Sequence, residues 1–163
     1  KFKFGKTFDN RLKQFNFKVF HRIVPSKYNL HKWQISNDDM CYICGEKETT
    51  THILLTCKEC QTFWKIVKNL IYNLYGINID MNEKIMIIGY DIANIEYQII
   101  NVMLNFAQYT IYKMYLRKMY ENKKIYTRKL FIEFKSIMRT YFRCKLNQKY
   151  LNMTEIDKII LIL

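Results

Sequence analysis

The side chains best suited to chemistry are concentrated in one stretch. Residues 41–60, CYICGEKETTTHILLTCKEC, hold four of the chain's five cysteines and one of its three histidines. Thiolate and imidazole bind zinc tetrahedrally, and a C-x2-C pair on a tight turn presents two sulfurs to one ion. Cys41-Tyr42-Ile43-Cys44-Gly45 fits such a knuckle, because Gly45 can take a positive φ and let backbone N–H groups turn toward the sulfurs. Two closures are open. His52 and Cys57 complete C-x2-C-x7-H-x4-C, whereas Cys57 and Cys60 complete C-x2-C-x12-C-x2-C. His52 stands beside threonines at an expected helix start, from which a side chain can point back to the knuckle. Cys57 and Cys60 fall on the expected helix body, where ligands three apart are also feasible. Either closure fills every position with protein and leaves none for water or substrate, so the expected site is structural and holds one Zn2+. Cys144, alone among basic and aromatic residues, is expected to be an ordinary buried thiol.

Little else suggests catalysis. His21 and His31 are flanked by basic residues and are better placed to pack or to contact phosphate than to act as acid or base. No Ser/His/Asp or Cys/His pairing stands apart from the cysteine cluster, so the chain is not expected to be an enzyme in its own right. Charge is the other signal. Residues 1–33 carry nine Lys/Arg against one acid and residues 117–149 eleven against two, within a net charge of +13, so the middle of the chain is slightly acidic. Two basic segments flanking such a middle favour a polyanionic partner, RNA or DNA, over a small anion. Lys18, Arg22, Lys27 and Lys32, with Arg139 and Arg143 toward the other end, are the expected phosphate contacts. Trp33 is the expected exposed ring, whereas most of the other aromatics interleaved with these cations have the helical spacing of a core. The alternative is a protein-interaction or scaffold domain whose basic faces keep an apolar protein soluble.

The elements that position these residues read as helices. Half of the residues are hydrophobic and only four are Gly and one Pro, a mixture too apolar for disorder and too poor in turn residues for a many-stranded sheet. Leu12, Phe15, Val19 and Ile23 mark one side of a first helix that Pro25 should stop near Val24. Ser26 should cap a short second helix over SKYNLHKW. A third should run from Thr50 or Thr51 to Gly76. INIDMNEKIMIIGYD is expected to be short and irregular. A central helix from about Asn94 to Asn122 follows, then one from Thr127 to Tyr150 with Phe131, Phe134, Ile137, Met138, Tyr141 and Phe142 inward and Arg128, Lys135, Arg139 and Lys145 outward. Thr154 should open a last one. The expected fold is all-α, with a small zinc knuckle between N-terminal helices and a C-terminal bundle. Its division is residues 1–75, the basic helices and knuckle, and 76–163, a helical region packed on them. The run 99–116 contains Asn101, Asn105, Gln108 and Lys113 and reads as a buried helix rather than a membrane span. KFKFGKTFDN has no apolar core, so no signal peptide is expected, and a chain opening on Lys1 is expected to be a piece of a longer polypeptide.

The order of these phrases resembles the CCHC-type zinc-binding segment that follows the reverse transcriptase domain in LINE-type non-LTR retrotransposon polyproteins. The phrases are Lys18 to Pro25, Leu30-His31-Lys32-Trp33, Cys41 with Cys44, Thr51-His52 to Cys57, and Phe63-Trp64. The resemblance covers about residues 10–66. MIIGY and YTIYKMYLRKMY add a softer likeness to the C-terminal tail of such proteins. One departure is Thr51, which stands where an acidic residue usually precedes the histidine. The resemblance implies that Cys41, Cys44, His52 and Cys57 are the ligands, with Cys60 variable. It implies a nucleic-acid-handling module that positions template RNA, target DNA or both, inside the cell and in the nucleus. A further partner that the resemblance implies is the polymerase domain of the same polyprotein. The chain has no Tyr-x-Asp-Asp and no acidic metal-binding cluster, so the polymerase and endonuclease themselves lie elsewhere.

Overall fold

Asp9 opens the first helix in the computed structural model, which describes residues 9–121, 126–144, 157, 159, 161 and 162. Its carboxylate accepts from the Arg11 and Leu12 amides at 2.8 and 3.4 Å, and α1 runs Asn10–Phe20. Leu12, Phe15 and Val19 are buried on one side, and the Phe15 ring lies 5.1 Å from that of Tyr112. The helix stops short of the expected Val24. The Arg22 amide bonds back to the Val19 carbonyl and the Ile23 amide to that of Lys18, with Arg22 in the left-handed region at φ 55°. This reversal turns Ile23 outward, 41% exposed against the expectation, and puts Val24 in the core instead.

Ser26 caps α2 (Lys27–Lys32) as expected, accepting from the Asn29 amide at 3.2 Å. The same left-handed reversal ends it. Gln34 has φ 61°, with amide bonds from Gln34 to His31 and from Ile35 to Leu30. Past the knuckle, the expected single helix to Gly76 is instead two pieces. A π-helical turn, His52–Thr56, is followed by extended backbone at Cys57 (ψ 135°) and then by α3, Lys58–Tyr75, which Gly76 ends at φ 67°. The stretch expected to be irregular contains a helix, α4 (Glu83–Ile88), because the Asn82 side chain accepts the Ile85 amide at 3.0 Å and nucleates the turn.

The central helix is α5, Ile95–Glu121, buried on nearly every side and packed against α1, α3, α6 and the π turn. It takes the place expected of residues 99–116, and no described helix is long and apolar enough to cross a membrane. Helix α6, Thr127–Arg143, adds a stripe of Leu130, Phe134, Met138 and Phe142, four residues apart, with Phe134 edge-on to Phe63 of α3. Lys113 and Arg117 of α5 both bond Glu133 of α6. Phe131, Ile137 and Tyr141 are half-buried, Arg128 and Arg139 are exposed, and Lys135 is half-buried over the Phe131 ring. The fold is all-α, and among the described residues strand-like pairing is confined to one bridge, Met40 with Lys47. Lys145, the expected extension of α6 to Tyr150 and the Thr154 start lie outside the described residues.

Candidate metal centre

The bridge between Met40 and Lys47 closes a short hairpin, and the knuckle sits at its tip. The Cys41 amide donates to the Glu46 carbonyl at 2.7 Å and the Gly45 amide to that of Cys41 at 2.8 Å, with Gly45 at φ 72° as the turn requires. Burial raises the Cys41 thiol above its ordinary pKa, while the Ile43 and Cys44 amides point at the same sulfur and favour its thiolate.

The π turn brings in the other half. An i to i−5 bond, from the Cys57 amide to the His52 carbonyl at 2.8 Å, aligns residues five apart on one face. Leaving the helix at Cys57 frees buried carbonyls, and two side chains of α3 satisfy them. Trp64 Nε1 donates to the Leu54 carbonyl at 2.8 Å and Gln61 Nε2 to that of Leu55 at 2.5 Å. Cys57 is therefore not on a helix body as expected, but at the junction ahead of α3.

The donor atoms of Cys41, Cys44, His52 and Cys57 lie within 4.8 Å of one another. A tetrahedral site with Zn–S near 2.3 Å has ligand atoms about 3.8 Å apart, so small side-chain adjustments suffice to close it. Three sulfurs and one imidazole are a donor set suited to zinc. His52 Nε2 is 3.3 Å from Cys44 Sγ, while Nδ1 is 3.4 Å from both Glu46 Oε2 and Thr56 Oγ1. That arrangement leaves Nε2 for the metal and gives Nδ1–H two acceptors to hold the ring. An acidic residue thus reaches His52 from Glu46 rather than from position 51. Burial, then the neighbouring sulfurs, pushes the Cys57 thiol up to about 12, so a dication is what makes its thiolate affordable. Cys60 stays outside the group, its Sγ donating to the Cys57 carbonyl at 3.1 Å. Cys144 is also apart but, contrary to expectation, exposed, because α6 ends there and turns its side chain to the surface.

Sequence spacing missed the shell around this centre. Glu48 is 2% exposed, and its Oε1 accepts from the Lys27 amide at 3.1 Å and from the Tyr115 hydroxyl at 2.7 Å, tying the knuckle to α2 and α5. Tyr115 and Lys118, which line the same small cavity as Cys41, His52 and Cys57, come from far along the chain. No local pattern could have flagged them.

The basic candidates sit elsewhere. Lys18 is half-buried on α1, Lys32 and Trp33 are exposed at the end of α2, and Arg139 and Arg143 are exposed on α6. Arg22 pairs with Glu83 at 2.8 Å and Lys27 with Asp38 at 3.0 Å. No curated protein and no solved structure matches the chain. Residues 1–64, however, match the family model described as zinc-binding in reverse transcriptase, a family of accessory rather than catalytic segments, and the cluster of Cys41, Cys44, His52 and Cys57, which could hold a single zinc, lies inside that stretch.

Proposed function

We propose that the chain is a nucleic-acid-binding module of a LINE-type retrotransposon reverse transcriptase protein, acting in the nucleus, in which zinc fixes a basic, ring-bearing surface. The observation that carries this reading is the outer face of α1 and α2. Trp33, the ring expected outside, is 44% exposed, and Phe17 and Phe20 are 57% and 42% exposed. The ring centroids of Phe17 and Phe20 lie 4.2 and 5.1 Å from that of His21, on a helix that also exposes Arg11 and Lys13. Rings that a folded chain leaves in water among cations suit unstacked bases and phosphates together. Phosphate would compete with Glu83 for Arg22 and with Asp38 for Lys27, both exposed pairs worth little to the fold.

Binding of matched RNA, single-stranded DNA and duplex DNA, followed by anisotropy across salt, tests this. If six phosphates are contacted, duplex affinity falls roughly a thousandfold between 50 and 200 mM salt. Replacing Lys18, Arg22, Lys27 and Lys32 by Gln weakens binding to all sequences alike and flattens the slope. Absence of binding to every nucleic acid at low salt defeats the proposal. A second reading then takes over, supported by a different patch. Met40, Tyr42 and Ile43 are 45%, 62% and 39% exposed on the knuckle hairpin, apolar side chains suited to a protein partner such as a polymerase domain.

A further inference from the structure

We infer that Lys118 of α5 is a positioning residue for the metal centre, the cation that offsets the negative charge the bound cluster carries. The inference rests on the metal centre and is independent of nucleic-acid binding. A zinc ion with three thiolates and a neutral imidazole has a net charge of −1. Its surroundings are acidic: Glu46 lies on His52 Nδ1, Glu48 is buried behind the knuckle, and Glu59 lines the adjoining cavity. Lys118 is the one Lys or Arg lining that cavity among the described residues.

Its side chain is only 13% exposed, a position lysine seldom occupies unless its charge is used. Met114 and Tyr115, one turn earlier on α5, line the same cavity, so a single face of the helix is turned to the centre. The ammonium pairs with Glu59 of α3, and its charge also acts on the Cys57 and Cys41 sulfurs. The partly buried setting screens such interactions less than bulk water does. Without Lys118, Glu59 would face an anionic cluster across the small cavity that both line.

A purely structural role, in which Lys118 only ties α5 to α3 through Glu59, makes a different prediction, because breaking that pair from either side would then have the same result. Zinc affinity of the full chain, measured by competition with a chromophoric chelator at fixed pH and salt, separates the two. Lys118→Met is expected to weaken zinc on the order of tenfold, the usual effect of removing a group just outside the ligands. Lys118→Arg keeps affinity close to that of the parent, and Glu59→Gln leaves it unchanged or tightens it, since one opposing charge is gone. Equal weakening in Lys118→Met and Glu59→Gln overturns the inference, as does parent affinity in Lys118→Met. Should Lys118→Met not fold, Glu59→Gln and Lys118→Arg still decide it: weaker zinc in Glu59→Gln, or a large loss in Lys118→Arg, counts against a counter-charge.

Discussion

The knuckle and α5 are held by opposite means. Between Met40 and Cys57 much of the surface is polar or exposed, and order comes from a few backbone bonds, a buried glutamate and the convergence of four ligand atoms. In α5, Ile99, Ile100, Met103, Leu104 and Ile111 are fully buried, and apolar contact with α1, α3 and α6 supplies the order. The first region depends on an ion that the second does not need. They meet at the π turn, whose buried Ile53, Leu54 and Leu55 join the core that α5 fills, and at Tyr115 and Lys118, where hydrogen bonding and charge are added to that apolar contact.

The largest effect should come from taking the metal away. His52→Ala or chelation removes the one equivalent of zinc expected per chain. A structural zinc contributes apparent binding free energies on the order of 10 kcal/mol, so residues 26–66 should lose amide-exchange protection while α5 and α6 keep most of theirs. Equal loss across α5 would break the comparison. Acidification acts in the same direction. The Cys41 and Cys57 thiols, raised by burial, hold their protons when metal-free, so zinc uptake releases protons and affinity must fall as pH falls.

Next is a cut in the apolar region. Phe134→Ala, at a fully buried ring between Phe63 and Phe131, should cost about 3–5 kcal/mol in unfolding free energy and leave zinc stoichiometry at one. Trp64→Phe strikes the seam, because it strands the buried Leu54 carbonyl. About 1–3 kcal/mol is expected from denaturant melts, with early loss of protection at the π turn. The smallest change is Cys60→Ser, which should keep zinc and cost about 1 kcal/mol, since only a buried sulfur and its bond to the Cys57 carbonyl are altered. Zinc lost in Cys60→Ser yet retained in His52→Ala would reverse the ligand assignment.

Much of this was legible in the residues. Ser26 before an amphipathic turn, Gly76 after a periodic run and the C-x2-C-G phrase each encode their structure locally, and each appears where expected. The interrupted helix at Cys57 was not, because what permits it is two donors on the next helix, Gln61 and Trp64, and neither type announces that duty. Helix α4 was missed although Asn82 is a good cap, since six residues are too few to show a period and IMII suits a strand as well. The outward turn of Ile23 went unforeseen because a left-handed end was not expected at an arginine. Lys118 and Tyr115 reach the centre only through the packing of α5.

The arginine at position 22 stands where glycine is the usual residue. A side chain in the left-handed region costs about 1–2 kcal/mol, and glycine would relieve it while adding about 0.5–1 kcal/mol of chain entropy to lose, so the fold is nearly indifferent to Arg22→Gly. Its ion pair with Glu83 is solvent-exposed on both sides and adds little. Gln34 ends the next helix in the same strained way and carries no charge. The two turns therefore form an internal control. Glycine at 34 reports on backbone relief alone, and glycine at 22 reports on relief plus whatever the guanidinium contributes beyond the fold.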